Sequence, residues 1–156
     1  MGSYSPQICN LLIEIVQEAG YKSAIAAYGM AEGKEMEEGM DEISPCGETL
    51  IVELSEDGKI DSYETTPSDF GAKACRFDEI AGHDVKSNAM RILDILSNRK
   101  AETPEGRFFC INAAAMLKIA GIAPDFKVGY AMAMQALAKG LAYEKFLKFK
   151  SFQGRQ

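Results

Sequence analysis

The chain has 156 residues, 47% of them hydrophobic and 26% charged, an ordinary balance for a domain with a core of its own. Its net charge of −6, without a dominating basic patch, argues against nucleic-acid binding. Cys9, Cys46, Cys75 and Cys110 show no C-x-x-C spacing, the start MGSYSPQ resembles no signal peptide, and the apolar run 108–123 is interrupted by Asn112 and Lys118. No disulfide scaffold and no membrane partner is therefore expected, and the setting reads as cytoplasmic with reduced thiols.

Along the chain, Ser5 followed by Pro6 predicts a helix start, with serine as the N-cap and proline at the first helical position. Ile8, Leu11, Leu12, Ile15 and Val16 recur on one helical face, and Gly20 closes the element. Residues 23–28 are apolar and free of charge, as suits a strand buried on both faces of a parallel sheet. Residues 29–40 form a polar loop rich in Gly, Glu and Met. Two strands, 49–54 and 59–65, are joined by Ser55-Glu56-Asp57-Gly58, whose Asp-Gly is a hairpin signal.

After a loop at 66–71, Ser87 is expected to cap a helix with apolar positions Ala89, Met90, Ile92, Leu93, Ile95 and Leu96. Thr103-Pro104 opens another, apolar nearly all round over 108–120 and so expected to be buried. Gly121 and Pro124 end it. Asp125 then caps one long helix, 126–147, with Met132, Met134, Leu137, Leu141 and Phe146 facing inward. The expected fold class is α/β: a partial, mainly parallel sheet with a hairpin, flanked by helices, in a single domain over 1–156.

The stretch with most chemical content is 39–49, where the adjacent acids Asp41 and Glu42 lie between Gly39 and the Ser44-Pro45 turn. Carboxylates so placed offer oxygen to a hard cation, and magnesium takes only one or two of them before water and phosphate oxygens complete its shell. Residues 30–64 carry twelve acids, among them Glu32, Glu35, Glu37 and Glu38, against Lys34 and Lys59. The plainer alternative is a solvated acidic loop. Cys46 has no base near it in sequence and is read as packing under the loop, while His83, the only histidine, is read as a surface residue. Asn112 interrupts an apolar helix and needs hydrogen-bond partners, through capping or helix-to-helix bonding rather than a ligand.

The run GMDEISPCGETLIVEL at 39–54, followed by GKIDSYETTPSDFG at 58–71, resembles the segment after mid-chain in anthranilate phosphoribosyltransferase, of the nucleoside-phosphorylase type of glycosyltransferases. Gly2-Ser3-Tyr4-Ser5-Pro6 is similar to that family's G-x-Y-x-P entry into a helix, Asn112-Ala113-Ala114-Ala115 to its NAAA helix, and 129–140 to its Ala-rich final helix. The similarity runs over nearly the whole chain but only about the carboxyl-terminal half of a full family member.

This resemblance implies that Asp41 and Glu42 hold Mg2+ on the diphosphate of phosphoribosyl pyrophosphate, in a transfer of phosphoribose to anthranilate in tryptophan biosynthesis. It assigns no catalytic and no cofactor-binding residue here, because the family's glycine-rich phosphate loop, its Lys-His-Gly-Asn motif and its anthranilate-binding arginine have no counterpart in this sequence. The loop after Tyr28-Gly29 is also longer than the family's, which commonly has histidine before that glycine. The expectation is part of an enzyme, inactive alone, that meets phosphoribosyl pyrophosphate and anthranilate only when completed by an amino-terminal half. A non-catalytic paralogue serving as a binding or assembly module is the alternative, and a nucleoside phosphorylase-related protein the third reading. Uncovered sheet edge and apolar helix surface predict a homo-oligomer or a complex with that missing half.

Overall fold

A computed structural model describes residues 1–31 and 39–153. Glu32, Lys34, Glu35, Glu37 and Glu38 lie outside the described residues, and so does any contribution they make to an acidic site. The elements run α1 (Pro6–Glu18), β1 (Ala24–Gly29), β2 (Thr49–Leu54), β3 (Ile60–Thr65), α2 (Val85–Ser97), α3 (Pro104–Ile119), α4 (Phe126–Ala138) and α5 (Leu141–Gln153), with short 3-10 turns at Pro67–Phe70 and Phe77–Glu79. The fold is α/β, as expected.

The direction of the sheet is not as expected. Its three strands stand in the order β1-β2-β3 and both pairings are antiparallel, with Ala24 opposite Leu54 and Thr49 opposite Thr65. Among the described residues, parallel pairing is confined to a single bridge between Gly2 and Ala27. The cause lies in how β1 is covered. Ala26 and Tyr28 face α1, where they meet Cys9, Ile13, Val52 and Leu54. Ile25 and Ala27 point the other way, into a larger core with Ile51, Phe70, Ile111 and Ala114. A strand sandwiched in this way is free of charge in either direction, so its composition carries no sign of which. The hairpin stands as predicted, closed by Ser55 N–H donating to the Lys59 carbonyl (2.9 Å).

The helix starts follow local chemistry. Ser5 Oγ accepts from Ile8 N–H, Thr103 Oγ1 from Gly106 N–H and Asp125 Oδ1 from Val128 N–H. At α2 the cap is Asp84, not Ser87: its carboxylate accepts from both Lys86 N–H and Ser87 N–H at 3.0 Å. Of that helix's expected apolar positions only Ile95 is fully buried.

α3 is also less enclosed than its composition implies. Cys110, Ile111, Ala114 and Ala115 are buried, but Met116 is 70% exposed. The long helix expected over 126–147 is two helices, because Gly140 takes a left-handed φ of 80° and turns the chain between α4 and α5. Leu137 is accordingly buried, whereas Met132 and Leu141 are exposed. No helix among the described residues is long and apolar enough to cross a membrane.

Candidate functional site

The chain leaves β1 at Gly29 and returns to it at Met40, where the two residues exchange main-chain hydrogen bonds: Gly29 N–H to the Met40 carbonyl at 2.9 Å, and Met40 N–H to the Gly29 carbonyl at 2.7 Å. Asp41 and Glu42 follow directly, both exposed. The chain then dives inward at Ile43, whose side chain is buried. Ser44 continues the descent: its N–H donates to Thr49 Oγ1 (2.9 Å), and its hydroxyl donates to the Met30 carbonyl (2.6 Å) while accepting from Cys46 N–H (3.0 Å).

Ile43 is held by one side chain from far along the sequence. Ile43 N–H donates to Asn112 Oδ1 (2.9 Å), and Asn112 Nδ2 donates to the Ile43 carbonyl (3.1 Å) and to the Phe108 carbonyl (3.1 Å). The asparagine therefore bonds to a loop as well as to its own helix, and its partner is not a second helix as expected. Two glycines seat the turn from the other side. A Cβ on Gly2 would lie 1.4 Å from the Asp41 carbonyl oxygen, and one on Gly29 would lie 2.4 Å from that of Glu42. Only glycine allows backbones to approach so closely.

The acidic pair borders a cleft of 200 Å³ whose walls include Gly2, Ala27, Ile43, Asn112 and Met116. Although Glu42 is exposed overall, partial desolvation of its carboxyl, and next the negative charge of Asp41, hold it above its ordinary range. A cation bound beside two adjacent carboxylates would offset their like charge. Among the described residues no group of three or more His, Cys, Asp or Glu side chains gathers as a metal cage. An ion held by Asp41 and Glu42 would therefore need its remaining ligands from water or substrate, as magnesium commonly does. Two hard carboxylate donors at an exposed turn fit that ion.

Cys46 packs beneath the loop as expected. Its sulfur lies 3.6 Å from that of Cys75, and burial, then Cys75 itself, pushes its thiol up to about 12. Such a thiol carries almost no thiolate at neutral pH and is no nucleophile. His83 is exposed in the lead-in to α2. The acidic pair is legible in the sequence, but its supports are not. Asn112 stands there only as a polar break in an apolar helix, and nothing local pairs it with Ile43. Gly2 and Gly29 sit in recognisable motifs, yet the carbonyls they accommodate come from 39 and 13 residues further on.

The family model "Glycosyl transferase family, a/b domain" matches residues 1–143. The chain is similar to the anthranilate phosphoribosyltransferase of Methanobrevibacter smithii, with 32% identity over 149 residues that are 96% of this chain and 42% of that one. It is also similar to that of Rhizobium meliloti, at 36% over 140 residues, covering 90% and 38%. The chain thus spans about two fifths of the length of the curated relatives it matches. In fold it is similar to the anthranilate phosphoribosyltransferase from Thermus thermophilus, with a TM-score of 0.81, 27% identity, and coverage of 97% of this chain and 41% of that one. The Saccharomyces cerevisiae enzyme in complex with PRPP and Mg superposes with a TM-score of 0.75 at 20% identity over 92% and 39%, a likeness of fold.

Proposed function

The chain belongs to the glycosyl transferase family whose a/b domain matches residues 1–143, and from that premise we propose that it supplies part of an anthranilate phosphoribosyltransferase. The reaction joins anthranilate to the ribose of phosphoribosyl pyrophosphate and releases pyrophosphate, in the tryptophan pathway and in the cytoplasm. In this reading residues 1–156 are one domain, and Asp41 and Glu42 are the ligands of a magnesium ion. When bound, that ion offsets the charge gained by the pyrophosphate as its bond to ribose C1 breaks. The chain's own part is positioning: Met40 and Ile43 are pinned on either side of the pair, and the carbonyls turn inward onto Gly2 and Gly29. What the turn offers outward is two carboxylates.

The observation that carries this reading is that turn: adjacent exposed acids, fixed at both ends, beside a cleft. The same reading makes the chain inactive alone, because the glycine-rich phosphate loop and the anthranilate-binding residues have no counterpart in its sequence. In this reading the amino-terminal half of a full family member is what completes it. An apolar groove of 440 Å³ lined by Phe109, Met116, Leu117, Met132 and Ala142 supports association, as a homo-oligomer or with that half.

The groove also favours the second reading, a non-catalytic binding or assembly module. A nucleoside phosphorylase-related protein has less support, since the relatives just described carry the anthranilate name. The deciding experiment mixes the chain with the amino-terminal portion of the Methanobrevibacter smithii relative and follows anthranilate consumption with phosphoribosyl pyrophosphate and Mg2+. No turnover from either piece and turnover from the mixture, abolished by Asp41→Asn, is the expected result. A stable mixture without turnover favours the module, and phosphate-dependent nucleoside cleavage favours the third reading.

A further inference from the structure

We propose that Asn112 is the positioning residue of the acidic pair, so that cation binding at Asp41 and Glu42 depends on a carboxamide that lies 69 residues beyond Ile43 and acts through its peptide. The inference rests on the metal reading of that pair and adds a residue to it. The turn has two ends, and they are held differently. On the Met40 side the bonds to Gly29 are main chain to main chain and draw on no side chain. On the Ile43 side, both main-chain bonding groups of the residue next to Glu42 are satisfied by Asn112. That carboxamide is itself oriented by a third bond, from Nδ2 to the Phe108 carbonyl one helical turn earlier. Both its N–H donors are thereby engaged, and turning the amide over would set an NH2 against Ile43 N–H.

The rigidity comes from α3. Cys110, Ile111, Ala114 and Ala115 bury that helix on either side of Asn112, so the carboxamide is a fixed point from which the loop hangs. Releasing it leaves Ile43 with an unpaired N–H and carbonyl in a largely enclosed place, and those groups turn toward water. The peptide between Glu42 and Ile43 then rotates, and with it the direction of the Glu42 carboxylate relative to Asp41. Groups that orient metal ligands from behind commonly change affinity by one to two orders of magnitude when removed.

The test uses the whole chain and Mn2+ as a paramagnetic stand-in for magnesium, read by the broadening of backbone amide signals at 41–43 in NMR, together with hydrogen exchange at the Ile43 amide. In the wild-type chain Mn2+ broadens those signals and Ile43 exchanges slowly. In Asn112→Ala, Ile43 exchange accelerates and the Mn2+ dissociation constant rises about tenfold. Leu137→Ala, a core truncation on α4, is the control: it lowers stability and leaves the Mn2+ affinity as it was. Should Asn112→Ala fail to fold, Asn112→Ser, which keeps a polar group too short to reach Ile43, gives the same two readouts. Unchanged Mn2+ affinity in the Asn112 variant overturns the proposal, and so does an equal loss in Leu137→Ala. A wild-type chain with no Mn2+ effect at 41–43 overturns the metal reading instead. Ile43 exchange then still decides whether Asn112 holds the peptide.

Discussion

Two asparagines clasp a peptide in the same way in two parts of the molecule. Asn88, in the first turn of α2, accepts from His83 N–H (2.8 Å) and donates to the His83 carbonyl (3.2 Å). Asn112 does this to Ile43 and adds a bond to its own helix. The first clasp spans five residues, lies in solvent and shapes the lead-in to the helix that carries it. The second spans 69 residues, is partly buried and joins a loop to a helix against whose core residues Ile43 also packs. Water can replace the first. Nothing but the folded chain can replace the second, which makes equal bond geometry worth unequal amounts.

The largest expected effect comes from the glycine beneath the same loop. Gly29→Ala places a methyl 2.4 Å from the Glu42 carbonyl, so the acidic turn must move; about 3 kcal/mol of stability is lost in denaturant titration, together with Mn2+ broadening at 41–43. Asn112→Ala follows, at about 2 kcal/mol, from the unpaired groups it leaves on Ile43. Asn88→Ala costs about 0.5 kcal/mol, the value of an exposed hydrogen-bonded turn, and leaves Mn2+ binding intact. If Asn88→Ala equals or exceeds Asn112→Ala in chemical denaturation, the contrast between local and distant clasps collapses.

A fourth test concerns sign rather than size. The Glu42 carboxyl titrates higher in the folded chain than in the unfolded one, so the folded state binds more protons across that interval. Its charge therefore opposes folding above the raised value, and stability from this group grows as pH falls from the folded value toward the unfolded one. Glu42→Gln is expected to raise the melting temperature slightly at neutral pH and to flatten that pH dependence, while abolishing Mn2+ binding. A drop in melting temperature at neutral pH would mean that the Glu42 charge is favourably paired in the fold.

What can be read from the sequence is what depends on neighbours. Ser5, Thr103 and Asp125 announce their helices because a cap bonds to an N–H two or three residues on. The Asp-Gly hairpin and the acidic pair are visible for the same reason. Ser87 and Asp84 both suit a cap and lie within one turn of each other, so local rules do not choose between them. Here the earlier one makes the bonds and Ser87 donates its hydroxyl to it. The strand direction is hidden because burial on both faces removes the alternation that would mark one side. The break at Gly140 is hidden because a lone glycine is tolerated in an Ala-rich helix until tertiary contacts decide. The supports of the site are hidden most deeply, since Gly2, Gly29 and Asn112 act on residues to which no local rule connects them.

The inward seating of the turn has a consequence for ion choice. Calcium commonly recruits main-chain carbonyls to reach six to eight oxygens, whereas magnesium keeps its own waters and needs little from the protein. Here the Asp41 and Glu42 carbonyls are pressed against Gly2 and Gly29, and that of Ile43 is occupied by Asn112. Three successive backbone oxygens are thus turned inward or engaged, and a cation at this turn would find only the two side-chain carboxylates.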